Sequence, residues 1–170
     1  MSEGSTTYLL DSDSFIRSKQ QHYAFDICPG YWNAVIAGFN KGRLLSVGPV
    51  REELLRGNDA LAQWVEATLS PKFFLPIDDP KIVQAYKRII KWANECGKYK
   101  KAVVSQFAEC ADPWLIAAAS VNGFQIVTYE VSGSITKVKI PDAARAFGVK
   151  CIAPYSMLRQ LSVVLSLQAD

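Results

Sequence analysis

One stretch constrains this chain more than any other: Tyr8-Leu9-Leu10-Asp11-Ser12-Asp13. Three apolar residues run directly into an acidic pair. The apolar run reads as a short buried strand. A carboxylate at the end of such a strand is costly unless a metal, a cation or hydrogen bonds meet it. In open α/β sheets, ligands bind in the crevice beyond the carboxyl ends of the strands. Function therefore turns on which other carboxylates reach the same end of the same sheet.

The rest of the chain alternates short β-prone runs with helical periodicity. Strand-like segments fall near residues 7–11, at Leu44-Leu45-Ser46-Val47, from Phe73 to Ile77, from Phe124 to Thr128 and at Lys150-Cys151-Ile152. Helical spacing is predicted over 14–21, from Tyr31 to Gly42, from Pro49 to Arg56, after Asp59, after Asp79-Pro80, over 99–108, from Asp112 to Gly123, from Pro141 to Phe147 and from Pro154 to Leu167. Proline near a helix start and glycine just past its end support these boundaries. Residues 131–140 are β-prone and predict an edge hairpin, and residues 1–6 a frayed tail. Strictly alternating strands and helices predict an α/β fold with a mostly parallel sheet covered by helices. With no repeat or linker, residues 1–170 read as a single domain.

Composition narrows the chemistry. An apolar fraction of 49% with 21% charged residues is that of a folded globular protein. The net charge of +3 permits an anionic partner without demanding one. No apolar run reaches the roughly 18 residues of a membrane span, and Met1 to Thr7 carries no basic-then-apolar signal pattern, so a cytoplasmic protein is expected. Cys28, Cys96, Cys110 and Cys151 are far apart with no CxxC pair, which predicts reduced, packed thiols. His22 is the only histidine, so His-based triads and multi-His metal sites are hard to build.

Four acids occupy equivalent places in the β–α pattern: Asp11 after strand one, Glu53 on the helix after strand two, Asp112 at a helix start, and Glu130 after the strongest late strand. With parallel strands all four can meet at one sheet edge. Like charges gathered there repel without a cation, and hard divalent ions prefer oxygen ligands. Each acid also has a plainer role. Asp112 before Pro113 suits a helix N-cap. Glu52 and Glu53 suit a helix dipole. Glu130 suits a solvated loop, and Asp13 suits a cap of the following helix or a place at the metal site. Spacing alone leaves both sets of roles open.

The segment Leu9-Leu10-Asp11-Ser12-Asp13-Ser14-Phe15-Ile16 resembles the opening motif of PIN-domain nucleases. Val50-Arg51-Glu52-Glu53-Leu54-Leu55-Arg56-Gly57 resembles their second motif, Ala111-Asp112-Pro113-Trp114-Leu115-Ile116 the third, and Ile126-Val127-Thr128-Tyr129-Glu130 the fourth. All four stand in the family's order across most of the chain. The insertion Tyr23 to Gly42 is similar to that of a less characterised bacterial PIN-like subfamily. The resemblance implies a three-layer α/β/α sandwich and a Mg2+- or Mn2+-dependent endoribonuclease that hydrolyses RNA phosphodiester bonds. Many small bacterial members are toxins held by a cognate antitoxin, and dimers are common. The resemblance also implies roles. Asp11, Glu53, Asp112 and Glu130 would be catalytic metal ligands, Thr128 a hydroxyl that orients the site, and Asp13 a supporting group. Glu53 is preferred to Glu52 because the family's glutamate directly precedes the aliphatic pair. Glu130 stands where aspartate is usual.

Two other functions remain open from the residues. One is a non-catalytic PIN-like module that binds RNA or protein. The other is a haloacid-dehalogenase-like phosphatase, since Asp11-Ser12-Asp13 resembles its nucleophile motif, although no acidic pair follows the late strand as that chemistry requires. Basic residues interleaved with Tyr86, Trp92 and Tyr99 between Lys81 and Lys101 read either as an RNA-binding stretch or as the solvated face of an amphipathic helix. Lys137, Lys139, Arg145 and Lys150 form a looser basic group after Glu130.

Overall fold

The computed structural model describes residues 5–166. Its centre is β1 (Tyr8–Leu10), paired in parallel with β2 (Leu44–Val47) on one side and β4 (Gln125–Val127) on the other. The pairs Leu9 with Leu45 and Leu10 with Val127 set the register. β3 (Phe74–Leu75) extends the β2 side and β5 (Cys151–Ile152) the β4 side, so the order is β3-β2-β1-β4-β5 with every pairing parallel. Alternate strand residues face opposite sides of a sheet, and Tyr8, Leu9 and Leu10 are all buried. Helices must therefore cover both faces of β1, as parallel sheets require.

The helices are α1 (Ser12–Arg17), α2 (Pro29–Asn40), α3 (Gly48–Arg56), α4 (Ala60–Thr68), α5 (Pro80–Glu95), α6 (Lys101–Glu109), α7 (Asp112–Asn122), α8 (Ile140–Ala146) and α9 (Pro154–Gln160). The expected α/β architecture is observed. α7 lies against β2 and β4 and packs on α5. Its run Leu115 to Ala119 is fully buried, the small alanines allowing close approach to the sheet. Asp59 caps α4 by accepting from the amides of Leu61 and Ala62, each at 3.0 Å.

Several local expectations are corrected. The first helix continues past Arg17 as a π-turn over Ser18–His22, closed by the Tyr23 amide donating to the Ser18 carbonyl at 2.6 Å. Residues 131–140 form no hairpin. Ser134 Oγ accepts from the amides of Thr136 and Lys137, Asp142 accepts from the Gly133 amide, and the Glu130 carboxylate accepts from the Ile140 amide at 2.8 Å. Side-chain acceptors thus take amides that a strand would offer to a ladder. The last helix stops at Gln160, because Ser162 adopts a left-handed conformation (φ 55°) and the Val163 amide donates back to the Leu158 carbonyl at 2.9 Å. Leu158 is buried, whereas Val164 is 85% exposed, so the expected apolar stripe packs only through its first half. Leu167 and residues 1–4 lie outside the described residues. Within the expected tail, the Thr6 carbonyl accepts from Arg43 Nε at 2.7 Å.

Among the described residues, no helix is long and apolar enough to cross a membrane. Gly38 permits the tight seating of α2 on β2: a Cβ there would fall 2.6 Å from Leu44 Cγ and Cδ1, inside the core. Overpacking costs about 1–3 kcal/mol and outweighs the roughly 1 kcal/mol of helix propensity that alanine adds. Gly38→Ala is therefore expected to lower the urea midpoint of unfolding.

Candidate active site

Strand order reverses direction between β1 and β4, and the crevice of an open parallel sheet lies beyond the carboxyl ends of such a pair. Asp11 follows β1 directly and Thr128 follows β4 directly. Their side chains meet, Thr128 Oγ1 donating to Asp11 Oδ2 at 2.5 Å. Asp11 Oδ1 accepts the Ser14 amide at 2.6 Å, so Asp11 caps α1. Asp13, one of the residues expected to do so, lies instead in the first turn of α1. The neighbouring strand-end carbonyls are satisfied by hydroxyls. Ser46 Oγ donates to Leu10 and Ser14 Oγ to Val127, at 2.6 and 2.8 Å.

A cleft of about 320 Å³ opens here. Asp11, Asp13, Glu53, Asp112 and Glu130 all line it, with Ile16, Val103 and Phe107 as an apolar wall. Glu53 reaches it from α3, accepting from Ser12 Oγ and from the Ala111 amide at 2.8 Å. It therefore docks the start of α7. Asp112 is the first residue of that helix, caps nothing with its side chain, and turns into the cleft at 14% exposure. The adjacent Glu52 does not line the cleft. Its side chain is 71% exposed and lies 4.0 Å from Arg56. Thr128 does not line it either, but holds Asp11 from behind and accepts the Glu130 amide at 3.0 Å.

Glu130 is arranged differently from the other acids. Its side chain is 5% exposed and accepts from Lys137 Nζ at 2.6 Å, Lys139 Nζ at 3.4 Å and the Ile140 amide. Lys137 Nζ also stands 3.8 Å from Asp112 Oδ2. Sequence reading had assigned Lys137 only to a loose basic group. No local signal marks it, because the folding of segment 131–139 back onto Glu130 is what brings it to the cleft. Ser12 is the other missed contributor, and it was visible within the Asp-Ser-Asp-Ser run.

Electrostatics follow the burial. Desolvation raises the Asp11 carboxyl from 3.8 to about 7, against the hydrogen bonds from Ser14 and Thr128 and with some help from the charge of Asp112. Burial likewise raises Asp112 to about 6. Glu130 and Glu53 add to that rise and Lys137 opposes it. Burial also works against the charged form of Glu130, but its bonds to Lys137 and the Ile140 amide win and hold its carboxyl below the usual value. Burial and then Asp112 push the Cys110 thiol to about 12, so this cleft residue is a protonated thiol at neutral pH. All four cysteines are free.

The donor chemistry suits a hard divalent cation. Asp11, Glu53 and Asp112 offer only oxygen donors, and the raised carboxyls of Asp11 and Asp112 would give up bound protons to such an ion. Glu130 differs from that set because two ammonium groups already neutralise it, whereas Asp11 and Glu53 are held by neutral donors. Among the described residues no group of three His, Cys, Asp or Glu side chains is placed to hold a metal ion. The expected aromatic platform is also committed elsewhere. Tyr86 stacks on Trp114 at 3.9 Å and donates to the Ala108 carbonyl, and Trp92 packs edge-on to Phe147 and Tyr99. Lys87, Arg88 and Lys91 stay on the exposed face of α5.

Residues 8–165 match the family described as "Domain of unknown function (DUF4411)". The chain belongs to the DUF4411 family. No curated protein matches it in sequence. Among solved structures it is similar to a chain of FitAB bound to an IR36 DNA fragment, with a TM-score of 0.56 and 17% identity over 88% of this chain and 96% of that one. At that identity the likeness concerns the fold, which in this DUF4411 member is α/β with an all-parallel five-stranded sheet.

The unfolded chain releases the Asp11 proton near 3.8, the folded chain near 7. Across that window the folded state binds the extra proton, so the metal-free protein loses stability as pH rises from about 4 to about 7. Asp11→Asn is expected to stabilise the metal-free protein at pH 8 by up to about 4 kcal/mol. The gain should vanish towards pH 4, as read by urea unfolding at both pH values.

Proposed function

We propose that this protein is a metal-dependent endoribonuclease that hydrolyses RNA phosphodiester bonds, working as the toxin of a toxin–antitoxin pair. The observation that carries the reading is the convergence of Asp11, Glu53 and Asp112 on one cleft at the reversal of strand order. These residues come from three of the four motifs that resemble the PIN nucleases.

In this reading Asp11, Glu53 and Asp112 hold Mg2+ or Mn2+. The ion supplies Lewis-acid stabilisation of the phosphate and makes water a stronger acid. The chain's own residues do the rest. Thr128 Oγ1 donates a hydrogen bond to Asp11 Oδ2 and so orients the carboxylate. The Ala111 amide and Ser12 hydroxyl orient Glu53. Such supporting partners are commonly worth about 10–100-fold in metal affinity or activity. The apolar wall of Ile16, Val103 and Phe107 removes water from one side of the cleft. The exposed cations of α5 add long-range attraction for a polyanion.

An antitoxin protein and a second copy of the chain are the partners this reading implies. FitAB is bound to a DNA fragment, and from it we carry over only that a fold of this kind operates in an assembly on nucleic acid. Lys137 favours a second reading, a PIN-like module that binds without cleaving, because its ammonium already serves two of the four acids.

Single-stranded RNA and DNA incubated with Mg2+, Mn2+ or EDTA separate the readings. Expected is RNA cleavage that EDTA abolishes. Asp11→Asn and Asp112→Asn should remove it while staying folded, and Thr128→Val should lower it about 10–100-fold. Full activity in either aspartate variant, or binding with no cleavage in any metal, would sink the nuclease assignment. Mn2+ binding at pH 6.5 should also release on the order of one proton, measured by calorimetry in two buffers, since Asp11 and Asp112 are partly protonated there.

A further inference from the structure

The cleft poses an electrostatic problem for the proposed substrate. Five carboxylates line it, from Asp11, Asp13, Glu53, Asp112 and Glu130, and a phosphodiester must approach them. Among the described residues that line it, Lys137 is the one cation.

The placement of Lys137 differs from that of a simple counter-ion. Glu130 carries one negative charge and receives two ammonium groups, Lys137 at 2.6 Å and Lys139 at 3.4 Å, together with the Ile140 amide. Asp112, 3.8 Å from Lys137 Nζ, is the second carboxylate there, so two ammonium groups face two carboxylates. That distance is too long for a hydrogen bond. An ammonium has three N–H donors, and one is spent on Glu130. The side chain lines the cleft and is 52% exposed, and Glu130 is the one hydrogen-bond acceptor its ammonium meets among the described residues. The Glu130 anchor fixes the ammonium beside Asp112, one of the proposed metal ligands.

We propose that Lys137 is a phosphate-binding residue of the cleft, its ammonium meeting a non-bridging oxygen of the RNA backbone, with Glu130 as the positioning residue that holds it there. The inference rests on the nuclease reading of the same cleft and assigns Glu130 a part other than metal ligation. Lys137 gives back, at the point of contact, some of the attraction that the carboxylates remove. A point-charge ammonium suits this, because it binds one oxygen without demanding planar geometry.

The test uses the full chain and a fluorescent single-stranded RNA, with Ca2+ in place of the catalytic metals. Affinity is read by anisotropy across a KCl series. For single strands each phosphate contact contributes about 0.7 to the slope of log affinity against log salt. Lys137→Ala and Lys137→Met should each lower that slope by about 0.7, and Lys137→Arg should restore it. The methionine variant keeps the aliphatic stem and so guards against a packing defect. Glu130→Gln should weaken RNA binding, and Lys137→Ala added to it should weaken binding no further.

Equal slopes in wild type and Lys137→Ala would overturn the proposal, as would no RNA binding by wild type. So would tighter Mn2+ binding by Lys137→Ala with an unchanged slope, since Lys137 would then be a stand-in for the cation. Failure of the nuclease reading shows separately, as no cleavage by wild type in Mg2+ or Mn2+, and the slope does not depend on it.

Discussion

The buried carboxylate of Asp11 is the constraint on which the structure depends. It sits 2% exposed at the end of the central strand, where an ionised group is costly. Two bonds compensate it, from the Ser14 amide and the Thr128 hydroxyl. The first starts α1 and turns the chain away from β1. The second joins the end of β1 to the end of β4, across the reversal of strand order. One side chain thus links local turn, sheet assembly and site.

The other acids are placed by the same economy of hydrogen bonds. Glu53 accepts the Ala111 amide, a donor that belongs to the start of α7. The Asp112 side chain makes no capping bond and turns into the cleft. Had Asp112 capped its own helix, the site would have lost a carboxylate. Glu130 gathers Lys137, Lys139 and the Ile140 amide, and so folds segment 131–139 over the cleft rather than along the sheet edge. The cost of these arrangements appears as raised carboxyl pKa values at Asp11 and Asp112. Perturbed acids in a cleft are a common mark of function, although structural networks also produce them.

Some disagreements between local pattern and structure have one cause. Residues 131–140 have strand-like composition, yet side-chain acceptors from Glu130, Ser134 and Asp142 take their amides. The terminal stripe from Leu158 to Leu165 continues on paper, yet a left-handed Ser162 ends the helix. In both places a few polar or backbone interactions override periodicity, and such interactions carry no spacing signature.

What the sequence determined by itself is the alternation of elements, the burial of Tyr8 to Leu10, and the three motifs that supply Asp11, Glu53 and Asp112. Those features are local: apolar periodicity, proline and glycine punctuation, and acids at fixed offsets from strands. The preference for Glu53 over Glu52 came from the motif resemblance alone, whereas the structure lines the cleft with Glu53 and leaves Glu52 71% exposed. Tertiary structure alone decided which acids are shared and which are spoken for. Glu53 holds the start of α7, Glu130 is claimed by Lys137, and Lys137 enters the cleft from a segment with no motif. These outcomes depend on hydrogen bonds between residues 7 to 58 positions apart, and sequence spacing does not encode which donor reaches which acceptor first.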